Sequence, residues 1–346
     1  MDSIEAAFPE HPDSAPEGQG SAGRLGPAHV FSSPTGTDPH LAVLADLSAA
    51  SQDRIQALMV LSEKLRKMPN AASILCLLTL LKQDTDALLV THCISVLGRL
   101  QAYSAVSLLV DAAQGQRIQI FQQKNSTNGS FRLTESGIRL RTAAIQALGR
   151  IGDHAAILPL MNLLKTRNEN YRIRLAAAES LGRLGDEDAI PSLLGILSDD
   201  RESSLYLKES AAKALGMLGD IRAIEPLIDI LESKRNLRDK FNFVKEQIIH
   251  AIGRIGKPHR KALDTLTEAL DDEAPSIRLA AVEALAALGD PDGIGHLKGK
   301  LWDKDDAVAR AAVTALASLG GEGLIADLLA LENLPMFLRA ELEAYL

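Results

Sequence analysis

Aromatic residues are scarce in this chain: 3% of 346 residues, with a single Trp. The strand-favouring Val, Phe, Tyr and Trp are few, which argues against an all-β or doubly wound core. There are two cysteines, Cys76 and Cys93, both in apolar stretches. That number gives no disulfide framework, so each reads as a small buried hydrophobe in a reducing compartment. No apolar run approaches the roughly 20 residues of a spanning helix, so no membrane span is expected. The opening Met1-Asp2-Ser3-Ile4-Glu5 lacks the basic and apolar regions of a secretory signal, and the expected location is cytoplasmic. Metal-binding spacings are missing as well. No His-x-x-x-His and no Cys-x-x-Cys occurs, and none of the eight histidines precedes a Glu. His92 adjoins Cys93, but neighbours on a helix point apart, so the pair is not read as catalytic. No catalytic residue, cofactor or metal is therefore assigned.

What the chain does have begins with a distinctive N-terminal segment. Residues 1–39 hold six acids, one base and six of the fourteen prolines. Such a segment cannot bury enough apolar surface to offset its ordering entropy and reads as a disordered tail. Residues 40–346 are different, because one pattern recurs through them. Gly149-Arg150-Ile151-Gly152-Asp153, Gly182-Arg183-Leu184-Gly185-Asp186 and Gly216-Met217-Leu218-Gly219-Asp220 are the clearest copies. Gly253 to Gly256, Ala286 to Asp290 and Ala317 to Gly320 continue the series; Gly98-Arg99-Leu100 and Ser62 to Leu65 are weaker copies upstream. The spacing is mostly 31–37 residues, with one step of 51. A period of this size marks a helical solenoid, in which each unit buries its apolar face against its neighbours.

Each position of the repeat has a physical role. Small residues precede the first glycine, as in Ala143-Ala144, Ala176-Ala177, Ser210-Ala211, Ala280-Ala281 and Ala311-Ala312, and they let neighbouring helices approach closely. The second glycine suits a left-handed helix terminus. The Asp after it is an N-cap for the next helix. Pro159, Pro191 and Pro226 fall in the first turns of that helix, where a missing N–H is harmless. A base stands eight residues before the first glycine, at Arg141, Arg174, Lys208, Lys245 and Arg278; an acid in an adjacent repeat is its expected partner. The expected fold is a right-handed all-α solenoid of about eight helix pairs.

The stretch from Arg174 through Gly185-Asp186 to Pro191 resembles the HEAT-like repeat of the phycobilisome (PBS) lyase group. The resemblance covers most of residues 52–331 and is strongest over 137–290. It implies HEAT-type helix pairs and two kinds of function: a protein-binding scaffold or adaptor, or a bilin lyase or chaperone of a bilin-binding protein. Lyases of the group favour aromatics in the helix before the Leu-Gly turn. Here that helix is read as Ala-Ala without Trp or Tyr, which counts against the lyase. HEAT-type di-iron hydroxylases use His-Glu pairs that this chain lacks. Shared fold does not by itself carry shared chemistry.

The period lengthens in two places. The insertion at about 115–136 alternates Ile118 and Ile120 with Gln119 before a polar tip, the pattern of a β-hairpin or an ordered loop. A second insertion spans about 232–243. Both join a second helix to the next first helix, so both are expected on one edge of the solenoid. That edge is the candidate partner site: Arg117, Phe121, Lys124, Phe131, Arg132, Tyr171, Arg172, Lys234, Arg235, Arg238, Phe241 and Phe243. Long loops without a structural need are often functional, and aromatics with Arg are typical interface anchors. The expected partner is another protein with an acidic surface. A sequence pI near 5.6 and a single Trp argue against a dedicated nucleic-acid binder. The alternative surface is the face lined by the second helices, the usual grip of a solenoid.

Overall fold

A computed structural model of the chain describes residues 38–116, 122–124, 131–233 and 242–345, with backbone alone for 122–124 and 131–133. The tail expectation for residues 1–37 lies outside them. Asp38 and Pro39, assigned to the tail by composition, instead open the first helix. Pro39 is the first residue of α1 (Pro39–Ala45), and the Asp38 carboxylate accepts from the His40 N–H.

Beyond α1, first helices alternate with second helices. The first helices are α2 (Ser51–Lys67), α4 (Ala87–Arg99), α6 (Glu135–Ile151), α8 (Tyr171–Leu184), α10 (Leu205–Leu218), α12 (Asn242–Ile255) and α14 (Pro275–Leu288). The second helices are α3 (Ala71–Gln83), α5 (Val106–Gln114), α7 (Ile157–Lys165), α9 (Ile190–Ser198), α11 (Ile224–Ser233), α13 (Arg260–Ala269) and α15 (Ile294–Gly299). α16 (Asp306–Leu329) supplies both members of the last pair, because Gly321 at φ 63°, ψ −169° breaks it. α17 (Met336–Glu343) closes the array. The result is the expected α-solenoid. In the first insertion, β1 (Gln122–Lys124) pairs antiparallel with β2 (Phe131–Leu133), Gln123 opposite Arg132, while the alternating Ile118-Gln119-Ile120 lies outside the described residues.

One expectation needs correction. α16 is long and apolar enough, by length and composition, to cross a membrane. Two features decide against reading it so: the break at Gly321, and the packing of Val308, Ala312, Val313, Leu316, Ile325 and Leu328 into the common core.

The first helices pack mainly on one another along the stack, while successive second helices touch less. The cause is the first glycine of each repeat. A Cβ added at Gly182 would lie 2.7 Å from the Ala214 Cα, and one at Gly253 would lie 2.5 Å from the Ala284 Cα. Gly98 abuts Ala147 and Gly149 abuts Ser180 in the same way. The contacting residue always stands two positions before the first-glycine position of the next repeat, which is Ala286 for Ala284; the sequence pattern does not single out this small-residue position. The second glycines behave as expected. Gly152, Gly185, Gly219, Gly256 and Gly289 all take φ between 60° and 81°. In the last repeat the left-handed residue is Gly321 rather than Gly320, and in the second it is Gln101, at φ 49°. The capping Asp residues also hold: Asp153, Asp186, Asp220 and Asp290 each accept a backbone N–H two residues on. Each opens a short 3-10 turn that runs into the second helix.

The recurring bases form a ladder. Arg174 donates to the Leu164 carbonyl at 3.0 Å and to Glu202 at 2.6 Å. Arg141 joins the Ala113 carbonyl to Glu169, Arg278 joins the Asp272 carbonyl to Asp303, and Lys245 pairs with Asp272. Lys208 donates to the Asp199 carbonyl. Arg54, unrecognised in the weak first copy, makes the same tie between the Leu44 carbonyl and Asp84. Each of the four arginines therefore links the end of the preceding second helix to the loop before the next first helix. The acids are fixed too: Glu202 also accepts the Ser204 N–H, and Asp303 the Asp305 N–H. The ladder skips α4, where Val90 stands at the base position, and no acid occurs between Gln114 and Thr134 in the insertion that follows.

Candidate protein-docking surface

The edge that carries the insertions is built from the starts of the first helices. Thr134 caps α6, Asn170 caps α8 and Ser204 caps α10, each accepting a backbone N–H of its own first turn. These caps set which first-turn side chains face outward. Tyr171 at the start of α8 is 54% exposed and Tyr206 near the start of α10 is 65% exposed. Phe243 near the start of α12 is exposed as well, and it meets Tyr206 edge-on with ring centroids 6.4 Å apart. Tyr206 was not among the expected site residues. It belongs there by register, since it occupies on α10 the place that Arg172 holds on α8 and Phe243 on α12. The reading of these helices as free of Tyr is thereby corrected: Tyr171 and Tyr206 lie within α8 and α10.

The structure brings Tyr171, Arg172 and Phe243 to this edge. Lys124, Phe131 and Arg132 lie on the two hairpin strands, where the backbone alone is described. Arg117, Phe121, Lys234, Arg235, Arg238 and Phe241 lie outside the described residues. The described basic groups are partly neutralised. Arg172 donates to Glu135 at 2.7 Å, Arg139 pairs with the same carboxylate, and Arg167 pairs with Asp199. The Arg172 and Arg139 guanidinium groups hold the Glu135 carboxyl below its usual range. A count of bases thus overstates the free positive charge of the described part of the edge, and two of these partners, Glu135 for Arg172 and Asp199 for Arg167, lie 37 and 32 residues away in sequence.

Among the described residues, no three His, Cys, Asp or Glu side chains gather in a way that could hold a metal ion. Cys76 and Cys93 are free and buried, and desolvation pushes the Cys93 thiol far above its ordinary value. Neither is a poised nucleophile.

Stacked helix pairs with an exposed aromatic edge define a solenoid repeat protein. HEAT repeats match residues 132–206 and 235–317, and the PBS lyase HEAT-like repeat matches 207–233. The chain is a HEAT-repeat protein that includes the PBS lyase HEAT-like type. Compared with curated proteins by sequence, it has no match. Among solved structures, a chain of the Kap95p–RanGDP structure shares the fold, with a TM-score of 0.53, 12% identity, and coverage of 88% of this chain and 46% of that one. The CpcE–CpcF complex of phycocyanin lyase from Nostoc sp. PCC7120 aligns at 20% identity over 79% of this chain and 94% of that one, with a TM-score of 0.43. Human deoxyhypusine hydroxylase aligns at 21% identity over 81% and 94%, with a TM-score of 0.33.

Proposed function

We propose that this chain is a non-catalytic protein-binding scaffold or assembly adaptor of the cytoplasm, and that its insertion edge grips a partner with an acidic surface. The observation that carries the reading is the placement of Tyr171, Tyr206 and Phe243 in the first turns of α8, α10 and α12. Three exposed aromatics open three successive first helices in a chain that has few aromatics. Such residues beside arginine are enriched at interface centres. Lys124, Arg132, Lys234, Arg235 and Arg238 in the two insertions would steer an acidic partner, and the two free thiols suit a reducing compartment. The test compares wild type with two variants in affinity capture from the native host. One replaces residues 117–133 with a short Gly-Ser linker; the other is Tyr171→Ala with Tyr206→Ala. Both are expected to keep their helical circular dichroism and lose the partner. Unchanged capture of the same partner by both folded variants overturns the edge.

A bilin lyase-like enzyme, or a chaperone of a bilin-binding protein, is the second reading. It is favoured by the repeat type matched at 207–233. Mixing the purified chain with a free bilin separates the two: a scaffold leaves the bilin's absorption spectrum unchanged, whereas a bilin-handling protein shifts it.

A further inference from the structure

The residue just after the first glycine of the repeat forms a second feature, at the other end of the first helices. It is Arg99 on α4, Arg150 on α6, Arg183 on α8, Met217 on α10 and Arg254 on α12, all exposed. From the insertion edge to this row is eleven residues of helix, or roughly 16 Å at 1.5 Å per residue.

Many arginines elsewhere in the array find acids. Arg54, Arg141, Arg174, Arg222 and Arg278 are all in ion pairs. Among the described residues Arg99, Arg150 and Arg183 have neither an ion pair nor a side-chain hydrogen bond. The Glu63 carboxylate of α2, which faces Arg99, is paired with Arg66. Three consecutive repeats thus present like charges side by side. Burial, and then the neighbouring Arg183 and Arg99 charges, push the Arg150 guanidinium below its ordinary value. Glu63 attracts Arg99, but among the described residues no ion pair offsets the repulsion at Arg150 or Arg183.

Beside the row lies an open groove of about 490 Å³, lined by Leu58, Met59, Val96, His92, Arg99 and Arg150 among others. It exists because Ser62 replaces the first glycine in α2, so α2 does not close on α4 as the later first helices close on one another. The groove offers apolar surface directly beside two guanidinium groups.

We propose that the strip formed by Arg99, Arg150 and Arg183, with the groove beside Met59, docks an extended acidic peptide segment of a partner protein. The spacing fits. Packed helices repeat at about 8–10 Å. A polyproline-II peptide has three residues per turn and rises about 3.1 Å per residue, so every third side chain recurs on one side at about 9 Å. Three carboxylates in the pattern acid-x-x-acid-x-x-acid meet one arginine each, with bidentate geometry open to every one. An apolar residue between the first two acids fills the groove. A nucleic-acid backbone fits less well. The strip is bounded by Glu63 on one side and Met217 on the other, and the groove holds no Phe, Tyr or Trp on which a base could stack.

The probe is a fluorescein-labelled peptide of four Glu-Pro-Leu units, with four Gln-Pro-Leu units as the uncharged control, titrated into the full-length chain by fluorescence anisotropy. The expected result is salt-sensitive binding of the Glu peptide, at least about tenfold tighter than the control. Arg150→Glu and Arg183→Gln should each weaken it by about tenfold or more. Arg201→Gln, a surface arginine off the strip, should stay within about twofold. Circular dichroism of each variant confirms that the helices remain. The proposal is overturned if the Glu and Gln peptides bind alike, or if Arg150→Glu and Arg183→Gln, both folded, bind the Glu peptide as wild type does. It is overturned in favour of nucleic acid if a twelve-nucleotide single strand binds more tightly than the Glu peptide and loses affinity with Arg150→Glu.

Discussion

At the scale of single residues, two kinds of glycine work in opposite ways. Gly182 sits against the next first helix with no room for a methyl group, whereas Gly195, within α9, faces open space. Gly182→Ala should therefore destabilise the protein by about 1–3 kcal/mol through overpacking of backbone against backbone. Gly195→Ala should stabilise it by about 0.5–1 kcal/mol, since alanine loses less entropy in a helix interior. Urea unfolding measures both, and equal effects of the same sign would refute the packing account. The positive-φ glycines and capping aspartates were legible in the sequence because few other residues satisfy those conformations. The small residues at Ala147, Ser180, Ala214, Ala251 and Ala284 were not, because alanine suits any helix and so marks no contact. Arg99, Arg150 and Arg183 were visible in the motif, but nothing in sequence says which arginines lack a partner.

At the scale of elements, the base ladder holds each junction between helix pairs. Arg174 and Glu202 are both nearly buried, with side-chain exposures of 6% and 10%. Arg174→Ala should cost about 3–5 kcal/mol, because it strands the Glu202 carboxylate beneath the surface. The double variant Arg174→Met with Glu202→Gln should lose much less, since both charges leave together. A double-mutant cycle by urea unfolding checks this; additive losses would mean that the two side chains do not act as a unit. The sequence pointed to the base of each rung, and an acid in an adjacent repeat was the expected partner. It hid Arg54, because the copy around Ser62 lacks both glycines, and it hid the tie of Arg172 to Glu135, which spans 37 residues. The alternation at Ile118 to Ile120 left a hairpin and an ordered loop both open, and the strands that pair lie at other residues, Gln122–Lys124 and Phe131–Leu133.

At the scale of the whole array, cohesion follows the glycines. From Gly98 to Gly253 each first helix meets the next through backbone contact, while α2, with Ser62 at that position, lies more loosely on α4. In a solenoid stability is a chain of nearest-neighbour terms, so the loosest junction opens first. Hydrogen-exchange mass spectrometry should find the amides of α2 and α3 exchanging well before those of α8, α10 and α12. Uniform exchange across all of them would show that the Gly–Ala contacts do not set local stability. These contacts have a mechanical consequence as well. A line of backbone-to-backbone contacts is short and stiff, like the spine of a book. The second helices, joined by longer side chains, are the pages, which can spread. Any flexing force on the array is taken up by fanning at that outer rim, while the distances between successive arginines along the spine stay fixed. A ligand lying there keeps its pitch however the molecule bends.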